Sequence, residues 1–222
     1  AADGAVRIWK EPEKGVPYVL GGDTAGDGSD CFTAHVLDNR TGEQVAELQQ
    51  RQSEILYARQ VYCLGRYYNT ALAAIEVNFS TYPERKLEEW NYPKLYQRER
   101  FDTYANAMVK AFGWQTSPAT RPQMLAELHT VMEESPHVIR SRWTLGEMIV
   151  FVYDKNRKPQ AAEGQHDDLV IAAAIAQMAR SQQQYTVEEP GGDKSHWTPD
   201  MWEDYNRADP ETRKMLERRW AR

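Results

Sequence analysis

Cysteine is scarce in this chain: Cys31 and Cys63 are the only two in 222 residues. Two thiols can form neither a disulfide scaffold nor a four-cysteine zinc centre, and free cysteines usually serve as small core residues. Long apolar runs are missing as well. No stretch reaches the roughly 18–20 residues of a membrane span, and the first residues lack the pattern of a secretory signal. No Walker A sequence is present, because the glycine-rich GGDTAGDGSD (21–30) is not followed by Gly-Lys-Ser/Thr. This chain alone is therefore not expected to hydrolyse ATP. Asp23, Asp27 and Asp30 also miss the spacing of an EF-hand loop. Positive charge is not in excess either. The net charge of −6 argues against coating nucleic acid through bulk charge, yet it leaves room for a local basic groove around an acidic metal site. The expectation is a soluble, intracellular protein with one sizeable domain. A chain that opens at Ala1 without methionine reads as a piece of something longer.

What is present is an ordered set of elements. VPYVLGGD (16–23) reads as a short buried strand that ends in glycines and an acid, GDGSD as a turn, and CFTAHVL (31–37) as a second strand. Asp38-Asn39-Arg40-Thr41-Gly42 is a hairpin turn into a third strand over 43–49. Ser53 can cap a helix running to about residue 68, LAAIEV (72–77) is a buried strand, and 81–90 is a short helix with Pro83 in its first turn. An exposed strand is expected over 95–101, and a helix capped by Thr120 over 121–134. The apolar run EMIVFVY within 142–153 reads as a strand, half of a hairpin. HDDLVIAAAIAQMARS (166–181) is the last core helix. The expected fold is α/β: a mixed β-sheet, three antiparallel strands and then parallel ones, flanked by helices. The domain is expected over 1–182. Residues 183–222 read as a polar tail, an appendage with a short helix over 210–220.

Three acidic positions stand at ends of apolar elements. Asp23 closes the first strand, Glu76 the fourth, and Asp167-Asp168 open the last core helix. Carboxylates at strand C-termini and at a helix start can converge on one crevice. Three or four oxygens there make a hard site suited to Mg2+ or Mn2+. Two such ions about 3.5–4 Å apart can activate water and stabilise the leaving oxygen in phosphodiester hydrolysis. Each acid also has an ordinary reading. Asp23 can be a turn residue, Asp167 and Asp168 can complement a helix dipole, and His166 reads as a cap-region residue. Glu76 is the most informative, because a charge inside LAAIEV costs several kcal/mol unless it is paired or bound to metal. Adjacent helical residues point about 100° apart, so one of the pair is the direct ligand. The alanine-rich helix favours Asp168, which shares a face with Ala172 and Ile175.

YVLGGDTAGDGSD, AAIEVNF, GWQTSPATRP and EGQHDDLVIAAAIA, in that order, resemble the C-terminal nuclease domain of the large terminase subunit of tailed bacteriophages, over roughly residues 4–182. The resemblance implies a ribonuclease-H-like fold that cuts concatemeric double-stranded viral DNA at the start and end of packaging, using Mg2+ or Mn2+. It places the family's first-strand aspartate on Asp23, its fourth-strand acid on Glu76 and its final pair on Asp167 and Asp168. Those four are the expected catalytic residues, with Asp23, Glu76 and Asp168 as metal ligands. Also implied are an N-terminal packaging ATPase domain in the full-length protein, portal and small terminase subunit as partners, and the cytoplasm of the infected bacterial host. One position departs from the family: Arg121 stands where lysine is frequent. It could face a DNA phosphate with a planar fork or sit in solvent as a first-turn residue. With Arg85, Lys86, Lys94, Arg98 and Arg100 it is a candidate DNA-facing cation, diluted by Glu84, Glu88 and Glu89; an ordinary solvated face is the alternative.

Three rivals stand beside this reading. A Holliday-junction resolvase or repair nuclease of the same fold would prefer junctions to plain linear duplex. An actin-like or sugar-kinase ATPase opens with a similar strand-Gly-Asp turn, but needs two lobes and about 100 more residues. A non-catalytic docking module with structural acids would give no binding heat with Mn2+.

Overall fold

The computed structural model describes residues 4–26, 30–153, 159–183, 194 and 196–220. Its centre is a five-stranded mixed sheet in the order β1-β4-β3-β2-β5, formed by β1 (Val6–Ile8), β2 (Tyr18–Asp23), β3 (Phe32–Asp38), β4 (Gln44–Gln50) and β5 (Leu72–Ile75). The β2–β3 and β3–β4 pairs are antiparallel, whereas β5 lies parallel to β2, with Leu20 opposite Ala73 and Gly22 opposite Ile75. The turn at 38–42 closes through Gly42 N–H donating to the Asp38 carbonyl at 2.8 Å, and Gly42 adopts φ +76°. The crossover into β5 is α1 (Glu54–Tyr67), whose Ser53 hydroxyl accepts from Leu56 N–H. The three-residue edge strand β1 was not expected; it is too short to show a period.

Alternation along the buried strands divides the core into two layers. Tyr18, Leu20, Val36 and Ala73 face α1, α2 (Tyr82–Glu89) and Trp90. Val19, Leu72 and Ala74 face α3 (Thr120–Glu134) and α5 (Asp168–Ala179). A Cβ at Gly21 would lie 2.3 Å from the Ala176 backbone nitrogen, so α5 rests directly on β2 where that strand has no side chain. The alanines of α5 make the approach possible.

The exposed strand expected over 95–101 is present over 97–102, as one arm of a hairpin, whereas the run over 142–153 differs from expectation. Leu95 and Trp114 each bridge in parallel to the β5 edge, at Ala73 and Glu76. Between them a hairpin of β6 (Gln97–Asp102) and β7 (Ala107–Phe112) projects, with Phe101, Tyr104 and Met108 exposed. The run over 142–153 is mostly helical. Ser141 caps α4 (Arg142–Ile149) by accepting from Thr144 N–H, and only β8 (Phe151–Tyr153) is extended, paired with β9 (Pro159–Ala161). An apolar run without a clear period does not distinguish strand from buried helix, and the serine cap decided it.

Of the residues after 182, expected as an appendage, the described 196–220 carry α6 (Pro199–Arg207) and α7 (Pro210–Arg219) and pack against the α1 layer. Trp197 and Trp202 belong to that core. The Tyr62 hydroxyl donates to the Trp197 carbonyl at 3.0 Å and accepts from the Trp202 indole N–H. The Trp90 indole donates to Glu203 at 3.0 Å.

Candidate metal and nucleic-acid site

Because β2 and β5 run parallel, their C-terminal ends meet at one edge of the sheet. Asp23 is the last residue of β2, and Glu76 follows β5 with its N–H donating to the Gly22 carbonyl at 2.8 Å. Both side chains are almost fully buried, and their carboxyls share a hydrogen bond. Burial, and after it the neighbouring Glu76, push the Asp23 carboxyl well above the usual carboxylate range, with smaller contributions from Asp168 and Asp167. Tyr57 stands over the same end of β2; its hydroxyl donates to the Thr33 carbonyl at 2.8 Å, and burial followed by the two acids raises its pKa.

The third acid arrives on the first turn of α5. Asp168 Oδ2 accepts from Cys31 N–H at 2.8 Å, and the Thr33 hydroxyl donates to the Asp168 carbonyl at 2.8 Å, so the start of β3 is tied to the start of the helix. Glu147, from α4, accepts from Leu169 N–H at 2.8 Å and Val170 N–H at 3.3 Å. It thereby satisfies donors that the first turn of any helix leaves open. Burial raises the Glu147 carboxyl to about 7, against the lowering effect of those two N–H groups. Burial also raises Asp168, opposed by the Cys31 N–H.

Asp23, Glu76 and Asp168 are thus gathered at one sheet end, whereas Asp167, at the helix cap, turns to Arg121 and pairs with it at 2.9 Å. Two groups join them that sequence reasoning passed over or ranked low. His166 Nδ1 lies 3.7 Å from Asp30 Oδ1 and 3.9 Å from Asp168 Oδ2. One ligand atom from each of Asp30, His166 and Asp168 falls within 4.8 Å of the others, an arrangement able to hold a cation. Asp30 had a signal in sequence: it opens the second strand as Asp23 closes the first, and a hairpin returns both to one end. Glu147 had none, since a strand was expected there.

The candidate cations are dispersed. Lys86 pairs with Glu89 and lies over Tyr82, while Arg85 is exposed on α2, lining a shallow cavity with Tyr82, Glu88 and Glu89. Arg98 donates to Gln115 at 3.1 Å and Arg100 lies 3.6 Å from Asp102, both on the projecting hairpin. Lys94 is half-buried before that hairpin.

No protein-family model matches the chain, and no curated protein does. Solved structures do. The large terminase nuclease from the thermophilic phage G20c superposes with a TM-score of 0.61 at 18% identity, over 82% of this chain and 90% of that one. The same nuclease with bound magnesium gives 0.62 at 16% identity, over 79% and 87%. The large terminase nuclease domain of Thermus phage P74-26 gives 0.59 at 17% identity, over 79% and 86%. Further structures of the G20c nuclease carry cobalt and zinc. Over most of its length, this chain has the fold of the large terminase nuclease domains of thermophilic phages.

Proposed function

We propose that the chain is the nuclease domain of a phage large terminase subunit, a metal-dependent endonuclease on a ribonuclease-H-like sheet that cuts concatemeric double-stranded DNA. The observation that carries the reading is the convergence of Asp23, Glu76 and Asp168 on one end of the β2–β5 pair and α5, in a fold shared with nucleases solved with magnesium, cobalt and zinc. The donor set fits a divalent cation. Burial and the adjacent Glu76 oppose a negative charge on Asp23, a penalty that a bound cation would relieve, and the remaining donors are oxygens and one imidazole.

Asp23, Glu76 and Asp168 would hold Mg2+ or Mn2+, with Asp30 and His166 extending the set on the far side of Asp168. Two bound cations would supply an activated water and charge stabilisation at the leaving oxygen. The chain's own residues prepare that geometry. Gly22 leaves room for the Tyr57 hydroxyl beside Asp23, since a Cβ there would lie 2.2 Å from it. Cys31 N–H and Glu147 hold Asp168 and its helical turn in place. Arg121 pairs with Asp167 and would pass to an entering phosphate. In the full-length protein the domain would follow a packaging ATPase and act with portal and small subunit in the host cytoplasm.

Supercoiled plasmid and linear duplex, each incubated with the chain in Mg2+, Mn2+ or EDTA, test the reading. Cutting of both with either metal and none in EDTA is expected. Plasmid left intact in both metals over a wide protein range overturns it, and cutting confined to four-way junctions would favour a resolvase.

A further inference from the structure

Arg51 is the residue that follows β4, and the pairing of Phe32 with Gln50 brings it to the sheet end where the acids gather. Its Nε donates to Cys31 Sγ at 3.2 Å. The same Cys31 donates its backbone N–H to Asp168 Oδ2 at 2.8 Å. One residue therefore anchors a guanidinium on one side and a candidate metal ligand on the other. A thiol is a weak acceptor and holds the fork by its inner edge only. Among the described residues the two outer nitrogens of Arg51 have no carboxylate or carbonyl partner, and the side chain is exposed. Arg121, by contrast, is committed to the Asp167 carboxylate.

A planar cation held at one edge, open at the other, and set beside a carboxylate centre is matched to a tetrahedral anion that approaches that centre. We infer that Arg51 binds a phosphodiester of the DNA backbone next to the acidic site, with Cys31 as the positioning residue that aims the guanidinium. The inference rests on the nuclease reading, because its ligand is that enzyme's substrate. It adds a phosphate contact on the β4 side of the site, opposite the Arg121 side. The Cys31 contact, and after it the more distant Asp168, raise the Arg51 pKa, in keeping with a cation that stays charged there.

The test is fluorescence anisotropy of the 222-residue chain with a 30-base-pair duplex in Ca2+, over roughly 50–200 mM NaCl. Arg51→Gln should weaken binding roughly tenfold at the low-salt end and make the slope of log K against log salt shallower by about 0.9, the share of one phosphate contact. Arg51→Lys should keep the slope and lose part of the affinity, since a point charge replaces a fork. The rise in melting temperature with Mn2+ should be the same in Arg51→Gln as in the parent, because the residue offers no metal ligand. Equal affinity and slope in parent and Arg51→Gln overturn the inference while leaving the nuclease reading in place. Loss of the Mn2+ shift in that variant also overturns it, by making the effect structural. A parent that neither binds duplex nor responds to Mn2+ overturns the nuclease reading, and this inference with it.

Discussion

At the scale of single residues, the acids carry a cost that the fold tolerates. Asp23 and Glu76 lie side by side almost fully buried, and burial opposes ionisation of Asp23. Asp23→Asn, Glu76→Gln and Asp168→Asn should each abolish metal-dependent cleavage. In EDTA each should leave stability unchanged or raise it by about 0.5–2 kcal/mol, since like charges no longer crowd one end of the sheet. Mn2+ should raise the melting temperature of the parent more than that of the variants, because it binds the folded state alone. Destabilisation of all three with no metal effect in the parent would make the acids structural. Glu147 adds a pH dependence. Its carboxyl stands at about 7 against an ordinary 4.5, so between those values the unfolded chain loses a proton that the folded chain keeps. Stability should therefore fall as pH rises from about 4.5 to 7 and level off above, once both states are ionised. Glu147→Gln should flatten that part of the curve while keeping an oxygen for Leu169 and Val170 N–H. Chemical denaturation at several pH values reads the difference; identical slopes would count against it.

At the scale of elements, the site depends on how closely α5 lies on β2 and on how α4 is held. Gly21→Ala would drive a methyl into the Ala176 backbone, which cannot yield as a flexible side chain can. A loss of about 1–3 kcal/mol, the usual range for overpacking, is expected in urea titrations, with slower cleavage because Asp168 shifts with its helix. The other support is a buried polar network. Glu47 accepts from Arg7 at 2.6 Å and from the Thr144 hydroxyl at 2.7 Å, while Gln44 reaches His35 and takes the N–H groups of Arg140 and Ser141. It joins β1, β3, β4 and the cap of α4, the helix that presents Glu147. Glu47→Ala leaves the Arg7 charge without its partner in a largely buried place and should cost about 3–5 kcal/mol, read from the same titrations. A loss under about 1 kcal/mol would show that water replaces the carboxylate.

Across the whole molecule, the segment after residue 182 completes a core. Trp197 and Trp202 pack against each other at a tilt, 4.7 Å between ring centroids, and close the outer side of α1 and α2. Trp202→Ala removes an aromatic ring and orphans a Tyr62 contact, with an expected loss of about 3–5 kcal/mol. That is a large part of the roughly 5–15 kcal/mol that keeps a domain folded. An unchanged urea midpoint would return the segment to the status of an appendage. Cleavage in the same variant reports whether the α1 layer bears on the site through Tyr57.

The sequence by itself determined the elements whose signals are local. The strand-turn-strand from Tyr18 to Gln50, the Ser53 cap, the buried strand before Glu76 and the alanine-rich helix after Asp168 all follow from period, turn chemistry and capping. So does the presence of an acid at the end of each. Tertiary structure alone decided the rest. Whether the run over 142–153 is helix or strand depends on which face finds a partner, and α4 found one on α5. The second arm of the hairpin beyond β5 leaves no local mark, because β7 is exposed and lacks clean alternation. Above all, which charges meet is a matter of distance in space. Arg51 and Asp168 are 117 positions apart, yet Cys31 touches both, and Arg121 meets Asp167 rather than solvent. Electrostatic pairing falls off over a few ångströms, and no spacing along a chain encodes contacts made only after the sheet and helices have packed.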